Sequence, residues 1–385
     1  MGRMTDMGEN ADMRMRHGKG DSYDGRLAGF DIPRIGMGTM ALAIEGRPDR
    51  ETAIRTIHAA LDEGVRYLDT AWSYYLPSRP GMGEPGDLGY GELLVRDALA
   101  SWNGPREDVL VATKTGYRRT CEAVTAGAGD AGSVDVSRET GDSGSVNADC
   151  SSVSRETGDV PRETPSAGAV PERQHLQAAG SRYGWMADSR PETMIRDAKE
   201  SAWHLGVDAL DLLYSHGPDP AVPYADQIGA LRDLLDAGVI RYAGISRVNR
   251  EQIDIARGIL GDRLVAVQNQ FSPSHPDPEH TLEYCRQLGL AFVCWSPLGG
   301  FLDPVDRHAY DPFREVAAKL GVSHQRVTLA WELAQYPRLF TIPSARNPQE
   351  IHDSFAATRL DLAPDDLARL NASVAVRRQT MAAAL

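Results

Sequence analysis

Cysteine is scarce in this 385-residue sequence, and no long apolar run occurs in it. The cysteines are widely spaced and include no C-x-x-C pair, so we expect neither a zinc site nor a disulfide framework. They are Cys121, Cys150, Cys285 and Cys294. No apolar segment approaches the roughly 20 residues that a membrane-spanning helix needs. This composition predicts a cytoplasmic protein, kept in a reducing compartment and without a membrane partner.

Positive charge is also in deficit. Lys and Arg number 41 against 54 Asp and Glu, which gives a formal net charge of −13. A surface of this sign repels nucleic-acid phosphates and anionic lipids, so neither is an expected partner. Residues 1–22 lack the apolar core of a secretion signal and carry several acids, and we predict that they form a disordered tail.

From residue 34 onward, short apolar segments rich in β-branched residues alternate with segments of helical periodicity. Eight such strand–helix units predict parallel strands joined by crossover helices. We therefore expect an α/β fold of the (β/α)8 TIM-barrel type, formed as a single domain over residues 23–373 and followed by a tail at 374–385. A doubly wound open sheet is the competing arrangement.

One stretch, residues 118–190, interrupts this alternation. It is rich in Gly, Ser, Asp and Glu, is poor in large apolar side chains, and repeats VSRETGD at 136–142 and 153–159. Low-complexity sequence of this kind cannot bury enough apolar surface to fold alone. We therefore predict a disordered insertion after the third strand of the barrel.

Three of the predicted strands place an ionisable residue at the carboxyl end, namely Asp69, Lys114 and His216. Each has an ordinary explanation when taken alone, since an aspartate can cap a helix and a lone histidine is most often a satisfied core residue. In a parallel barrel, however, the carboxyl ends of all strands open on one face, where active sites lie. Because these residues end consecutive strands, we predict that they meet at one site.

A tyrosine beside this group would complete an acid–base system. A phenol has a pKa of about 10, and a neighbouring ammonium group lowers that pKa. An aspartate can keep the buried lysine charged, and a neutral histidine can orient a carbonyl oxygen through a hydrogen bond. No nucleophile accompanies these groups. The set therefore suits proton transfer at the oxygen of a small carbonyl compound whose carbon exchanges a hydride.

The motifs DTAWSY, GYGE, ATK, YSH and PSARNPQE together resemble the aldo-keto reductase family, over about residues 27–117 and 191–360. In that family the catalytic tyrosine follows the aspartate by five positions, which selects Tyr74 rather than Tyr75. The resemblance implies reduction of an aldehyde or ketone by a reduced nicotinamide cofactor. It also implies a catalytic tetrad made of Tyr74, Lys114, Asp69 and His216.

The same resemblance indicates which residues contact the cofactor. It implies that Trp295 stacks on the nicotinamide ring, that Gln268 binds the carboxamide, and that Arg346 meets the 2′-phosphate of NADPH. Glu350 opposes a phosphate, which leaves NADH possible. The full implied set lies at the ends of the later strands and in the segments that follow them: Ser246, Arg247, Gln268, Trp295, Ser296, Pro297, Leu298, Ser344, Arg346, Glu350 and Ser354.

Other interpretations of these motifs remain. The stretch GMGTMA matches a dinucleotide-binding glycine pattern, but no helix is predicted to open at the glycines. The acids and histidines of residues 274–280 suit a loop before a helix better than a metal site, so no metal is expected. Arg247 stands where the family most often has asparagine, although potassium-channel β subunits also carry arginine there. A non-catalytic, redox-sensing subunit and an alcohol or sugar dehydrogenase are therefore alternatives to a reductase.

Overall fold

The computed structural model describes residues 24–77, 87–120, 175–177, 184–300 and 305–383. Within these ranges the strands are β1 Asp24–Leu27, β2 Phe30–Pro33, β3 Met37–Gly38, β4 Tyr67–Asp69, β5 Leu110–Thr115, β6 Tyr117–Thr120, β7 His175–Gln177, β8 Gly184–Ala187, β9 Leu210–Ser215, β10 Ile240–Ser246, β11 Leu264–Gln270, β12 Ala291–Trp295 and β13 Leu339–Thr341. The α-helices are α1 Arg50–Glu63, α2 Tyr90–Ser101, α3 Pro191–Leu205, α4 Tyr224–Asp236, α5 Arg250–Leu260, α6 Thr281–Leu288, α7 Asp311–Leu320, α8 His324–Gln335, α9 Pro348–Phe355 and α10 Pro364–Ala382. None of these helices combines the length and apolar character needed to cross a membrane.

Eight parallel strands form the central sheet, in the order β3, β4, β5, β9, β10, β11, β12, β13. The last strand returns to the first through bridges that join Ile35 to Thr341 and Gly38 to Ser344. The Gly36 amide also donates to the Thr341 carbonyl at 2.9 Å. The sheet therefore closes on itself, and the predicted (β/α)8 barrel is confirmed over the competing open sheet.

The barrel strands are covered on both faces, which explains why they read as continuous apolar runs. Tyr67, Leu212 and Phe340 belong to a cluster that fills the barrel interior. A larger cluster, which includes Ile57 and Leu231, lies between the strands and the surrounding helices. Because both faces of the sheet are buried, polar side chains can reach solvent mainly at the ends of the strands.

Helix α1 shows how the local sequence determines the bounds of a helix. The Asp49 carboxylate accepts a hydrogen bond from the Thr52 amide at 2.8 Å and so satisfies a free donor of the first turn. Gly64, at φ +111°, ends the helix in the left-handed conformation that glycine adopts without strain. Between these ends, Ile57 and Leu61 are buried against the barrel.

A β-hairpin that the sequence reasoning did not predict precedes the barrel. Strands β1 and β2 pair antiparallel, and Leu27 and Ile32 are buried in the same cluster as the interior residues Tyr67 and Phe340. The hairpin therefore covers the interior at the amino-terminal end of the strands, opposite the strand ends that carry the polar residues.

Part of the predicted insertion has regular structure. Strands β6 and β8 pair antiparallel, from Tyr117 with Ala187 to Thr120 with Gly184, and β7 pairs with the other edge of β8. The predicted insertion, residues 118–190, therefore includes most of one three-stranded sheet, which is formed by segments from both of its ends. The reason is that these flanks find partners in each other, which composition alone does not reveal. The rest of the predicted insertion lies outside the described residues.

The structure describes only one of the two predicted tails, the one at residues 374–385, and this one as far as residue 383. Residues 1–22 lie outside the described part of the chain. The boundary predicted at residue 373 falls inside α10, which continues to Ala382. Val374 is buried against the apolar layer outside the barrel, so the helix packs beyond the point at which a tail was expected.

The closure of the barrel interior leads to a stability prediction. Phe340 is fully buried beneath the hairpin, so Phe340→Ala leaves a cavity and is expected to cost about 3–5 kcal/mol of the free energy of unfolding. Urea titration measures this change. Val376→Ala, at a side chain on α10 that is 67% exposed, is the control and should change stability by less than about 0.5 kcal/mol. Equal effects of the two substitutions would show that the interior does not depend on this ring.

Candidate active site

The carboxyl ends of three neighbouring strands bring the predicted polar residues together. Asp69 ends β4, Lys114 lies next to the end of β5, and His216 directly follows β9. These strands are adjacent in the barrel, because β5 pairs with β4 on one side and β9 on the other. Tyr74 lies in the segment that follows β4, and its side chain is buried. The arrangement expected from the strand-end pattern is therefore present in the structure.

The Asp69 carboxylate accepts hydrogen bonds from three side chains. One oxygen accepts from the Lys114 ammonium group. The other accepts from the Tyr67 hydroxyl at 3.1 Å and from the Gln268 amide at 2.8 Å. A buried carboxylate is costly unless it is paired and hydrogen-bonded, and these bonds explain why an acid can end an otherwise apolar strand.

Lys114 links this carboxylate to the tyrosine. Its ammonium group donates to the Thr70 carbonyl at 2.7 Å and to the Tyr74 hydroxyl at 3.5 Å. Burial is the largest influence and opposes the charge on this lysine, but Asp69 and Tyr74 together outweigh it, so the pKa of Lys114 lies above its ordinary value. Lys114 is therefore a permanent cation next to the Tyr74 phenol.

The structure corrects one expectation about Tyr74. Burial raises the pKa of the Tyr74 phenol, and the opposing influence of Lys114 is smaller, so the net pKa lies above the ordinary value. A net lowering by the lysine was expected from the residue types alone. The phenol is consequently protonated at neutral pH, and in this state it can act as a proton donor.

His216 stands beside the phenol as a neutral imidazole. Its ring makes edge contacts with Tyr74 and Tyr117, with ring centres 5.8 and 5.2 Å apart. Part of the residue reaches the cleft, but the surrounding side chains keep water from most of the ring. This burial, together with the positive charges of Lys114 and Arg247, holds the pKa of His216 well below 6.5. A neutral imidazole can donate a hydrogen bond to a carbonyl oxygen.

Tyr75 has a different environment from Tyr74. Its hydroxyl accepts from the Arg119 amide at 3.4 Å, and its ring packs edge-on against Trp72. Tyr75 lines a neighbouring groove with Arg118 rather than the cleft that contains Tyr74. The five-residue spacing from Asp69 therefore selects the tyrosine that touches Lys114.

A cleft of about 320 Å³ runs from this group across the strand ends. Of the residues implied as cofactor contacts, Ser354 does not line the cleft and is buried in α9. The others line it: Ser246, Arg247, Gln268, Trp295, Ser296, Pro297, Leu298, Ser344, Arg346 and Glu350. The cleft also includes residues that the sequence reasoning missed: Gly38, Met40, Ala41, Gly299, Gly300, Ile342 and Pro343.

Two of the missed segments carried a usable signal. The Gly38 stretch stood out as glycine-rich, and a Cβ atom at Gly38 would lie 2.9 Å from the Ile342 carbonyl oxygen. The glycine therefore allows the first and last strands to approach. Gly299 and Gly300 both have positive φ, at +75° and +87°, and the Gly-Gly pair in the sequence marks this loop.

Two side chains of the cleft bear on whether a dinucleotide could bind there. Trp295 supplies an aromatic ring in the cleft that Tyr74 also lines, and Arg346 supplies a cation before α9. The Glu350 carboxylate accepts from the Arg346 amide and from the Asn347 side chain, each at 2.8 Å. The first turn of α9 therefore holds this acid, and among the described residues no carboxylate forms an ion pair with the Arg346 guanidinium.

The segment of residues 274–280 caps a helix. The Asp277 carboxylate accepts from the amides of Thr281 and Leu282, at 2.9 and 2.8 Å. These bonds satisfy free donors at the start of α6. Across the described ranges, no group of three or more potential ligands is placed to hold a metal ion.

Comparisons with known proteins agree with this geometry. The model of the aldo/keto reductase family matches residues 34–375. Pyridoxine 4-dehydrogenase from Escherichia coli is 24% identical over 351 residues, covering 88% of this chain and 94% of its own length. The 6-dehydroglucose reductase from Novosphingobium aromaticivorans is 24% identical over 340 residues, covering 86% and 88%.

A solved structure shares the fold. The aldo/keto reductase from Klebsiella pneumoniae, determined in complex with NADP and acetate, superposes with a TM-score of 0.61 at 19% identity. The match covers 91% of this chain and 94% of the other. At this level of identity the likeness concerns the fold.

The low pKa of His216 has a consequence for stability. The unfolded chain binds a proton at this histidine below about pH 6.5, whereas the folded state excludes it. The contribution to stability is therefore fully present above pH 6.5 and is lost as the pH falls, by up to about 1.4 kcal/mol per pH unit. Urea titrations from pH 7.5 to 5 should show a shallower pH dependence for His216→Asn than for the unmodified protein. Identical slopes would show that folding does not lower the pKa of His216.

Proposed function

The chain belongs to the aldo/keto reductase family, and we propose that it reduces an aldehyde or ketone to an alcohol with NADPH as the hydride donor. The observation that carries this proposal is the buried contact of Lys114 with both Asp69 and Tyr74. A phenol that is protonated at neutral pH and lies beside a permanent cation suits the delivery of one proton to a developing alkoxide.

Each residue of the group has a defined role in this proposal. Reduced nicotinamide, when bound, supplies the hydride to the carbonyl carbon. Tyr74 donates its proton to the carbonyl oxygen, and Lys114 stabilises the phenolate that remains. His216 donates a hydrogen bond that orients the same oxygen. Asp69 keeps Lys114 charged and in place, and the phenolate recovers its proton from solvent.

The physiological direction is a separate question. One relative is named a dehydrogenase and another a reductase, and the same residues catalyse either direction by microscopic reversibility. A purely cofactor-sensing subunit would not need an acid–base group at the carbonyl position. Steady-state assays of a broad panel of aldehydes, ketones and alcohols, with NADPH, NADH and both oxidised forms, test the proposal. No turnover with any compound would contradict it.

Tyr74→Phe tests the identity of the proton donor. Loss of a general acid is expected to lower kcat by roughly 10²–10⁴-fold, while cofactor binding persists. Tyr75→Phe is the matched control, because the adjacent hydroxyl lies outside the cleft, and this variant should retain most of its activity. A larger loss in Tyr75→Phe than in Tyr74→Phe would reverse the assignment.

Arg346→Ala tests the choice of cofactor. A hydrogen bond to a charged group contributes about 1.5–3 kcal/mol, so NADPH should bind roughly one to two orders of magnitude more weakly, whereas NADH should be almost unchanged. Glu350→Gln removes the neighbouring negative charge and should strengthen the preference for NADPH. The dissociation constants are measured by fluorescence quenching at constant ionic strength. If Arg346→Ala weakened the binding of NADPH and NADH equally, Arg346 would have a structural role. If the unmodified protein bound NADH more tightly than NADPH, NADH would be the cofactor.

A further inference from the structure

Arg247 follows β10 directly and enters the cleft with an unusual backbone conformation. Its φ is +60°, in the left-handed region that costs a non-glycine residue about 1 kcal/mol or more. The conformation is held by a hydrogen bond from the Arg247 amide to the Gln268 carbonyl at 3.1 Å. The turn carries the side chain into the cleft, where Arg247 lines the wall with Tyr74 and His216.

The guanidinium lies at the reactive end of the cleft. It stands 5.5 Å from the centre of the Trp295 ring. On the opposite side, a Cβ atom at Gly217 would lie 3.1 Å from Arg247 Cδ and 2.8 Å from the Tyr117 hydroxyl. The glycine thus makes room for the arginine next to Tyr117, whose ring contacts His216.

Arg247 is half-buried, and it differs from the buried cations nearby in having no acidic partner among the described residues. Lys114 pairs with Asp69, and Arg119 pairs with Glu45. In the part of the chain that the structure describes, no carboxylate lies within 4.0 Å of the Arg247 guanidinium, and its buried Nε makes no hydrogen bond. A desolvated, uncompensated cation is costly, and a ligand that brings an anion would remove that cost.

The position of this cation indicates which ligand supplies the anion. Arg346, before α9, is the cation expected to meet the cofactor's 2′-phosphate, and the charge of Lys114 is already compensated. Arg247 instead adjoins Tyr117, whose ring contacts His216, and His216 flanks the place of the substrate carbonyl in the proposed reaction. A planar guanidinium binds a carboxylate through two parallel hydrogen bonds.

On the basis of the proposed function, we infer that Arg247 selects carbonyl substrates that carry a carboxylate. The carboxylate would bind the guanidinium while the carbonyl oxygen lies between Tyr74 and His216. The family resemblance implied a cofactor contact for Arg247, and the experiment below tests the carboxylate role against that contact. The reaction remains the transfer of one hydride to carbon and one proton to oxygen, and the carboxylate is unchanged by it.

The test compares acids with neutral molecules of the same shape. The substrates are 2-, 3- and 4-formylbenzoate and the corresponding formylbenzamides, so that the three isomers vary the distance between carbonyl and carboxylate. The unmodified protein should prefer at least one acid over its amide in kcat/KM. In Arg247→Met this acid-to-amide ratio should fall by about 10–100-fold. Arg247→Lys, which keeps the charge without the planar geometry, should give an intermediate ratio.

A control variant and a binding measurement separate the alternatives. Arg346→Ala should weaken NADPH without changing the acid-to-amide ratio. The binding measurement uses calorimetry with 4-(hydroxymethyl)benzoate and its amide, or with the 2- or 3-isomers if these match the preferred aldehyde. The protein carries NADPH, which cannot react with an alcohol. Arg247→Met should show the same loss of preference for the acid over the amide.

The outcomes distinguish this inference from the proposed function. An acid-to-amide ratio that is the same in Arg247→Met as in the unmodified protein would overturn the inference. So would an equal loss for acids and amides together with weaker NADPH binding, because Arg247 would then be a cofactor contact. Absence of turnover with every aldehyde, with binding of the alcohols still dependent on Arg247, would contradict the reductase function and leave the carboxylate site standing.

Discussion

The buried ion pair of Asp69 and Lys114 is the interaction on which the site depends. It joins the ends of β4 and β5, and the hydrogen bond from Gln268 adds the end of β11 across the barrel. Removing one partner of a buried pair typically costs about 3–5 kcal/mol, because the other charge is left uncompensated. The pair therefore links the ends of two strands through their side chains and at the same time fixes a cation beside the Tyr74 phenol.

Burial shifts the pKa values of Tyr74 and His216 in opposite directions, but in both cases it favours the uncharged side chain. It raises the pKa of Tyr74 and lowers the pKa of His216, because the uncharged form is favoured in each case. Lys114 opposes the first shift and reinforces the second. At neutral pH the site therefore contains a protonated phenol, a neutral imidazole and an ammonium group, which is the combination needed to protonate an oxygen while orienting it.

The cleft beside this group is built from segments in less common backbone conformations. Arg247 and Ser296, each next to the end of a barrel strand, have φ values of +60° and +51°. A strand that continued in extended conformation would carry these side chains past the cleft. The closed barrel provides the rigid frame that holds such turns. The residues that follow the strands, rather than the strands themselves, therefore determine which side chains line much of the cleft.

The sequence by itself determined the periodic and local features, namely the alternation that forms the barrel and the ionisable residues at the strand ends, because these follow from burial and from distance along the chain. The choice of Tyr74 over Tyr75 came from the resemblance of the DTAWSY motif to the aldo-keto reductase family. Only the tertiary structure decided the contacts between distant segments, such as the hairpin under Phe340 and the pairing of β6 with β8. It also decided the net pKa of Tyr74 and the lack of an acidic partner for Arg247 among the residues that the structure describes. Such properties depend on how much water is excluded and on which charges lie nearby, and no local pattern encodes them.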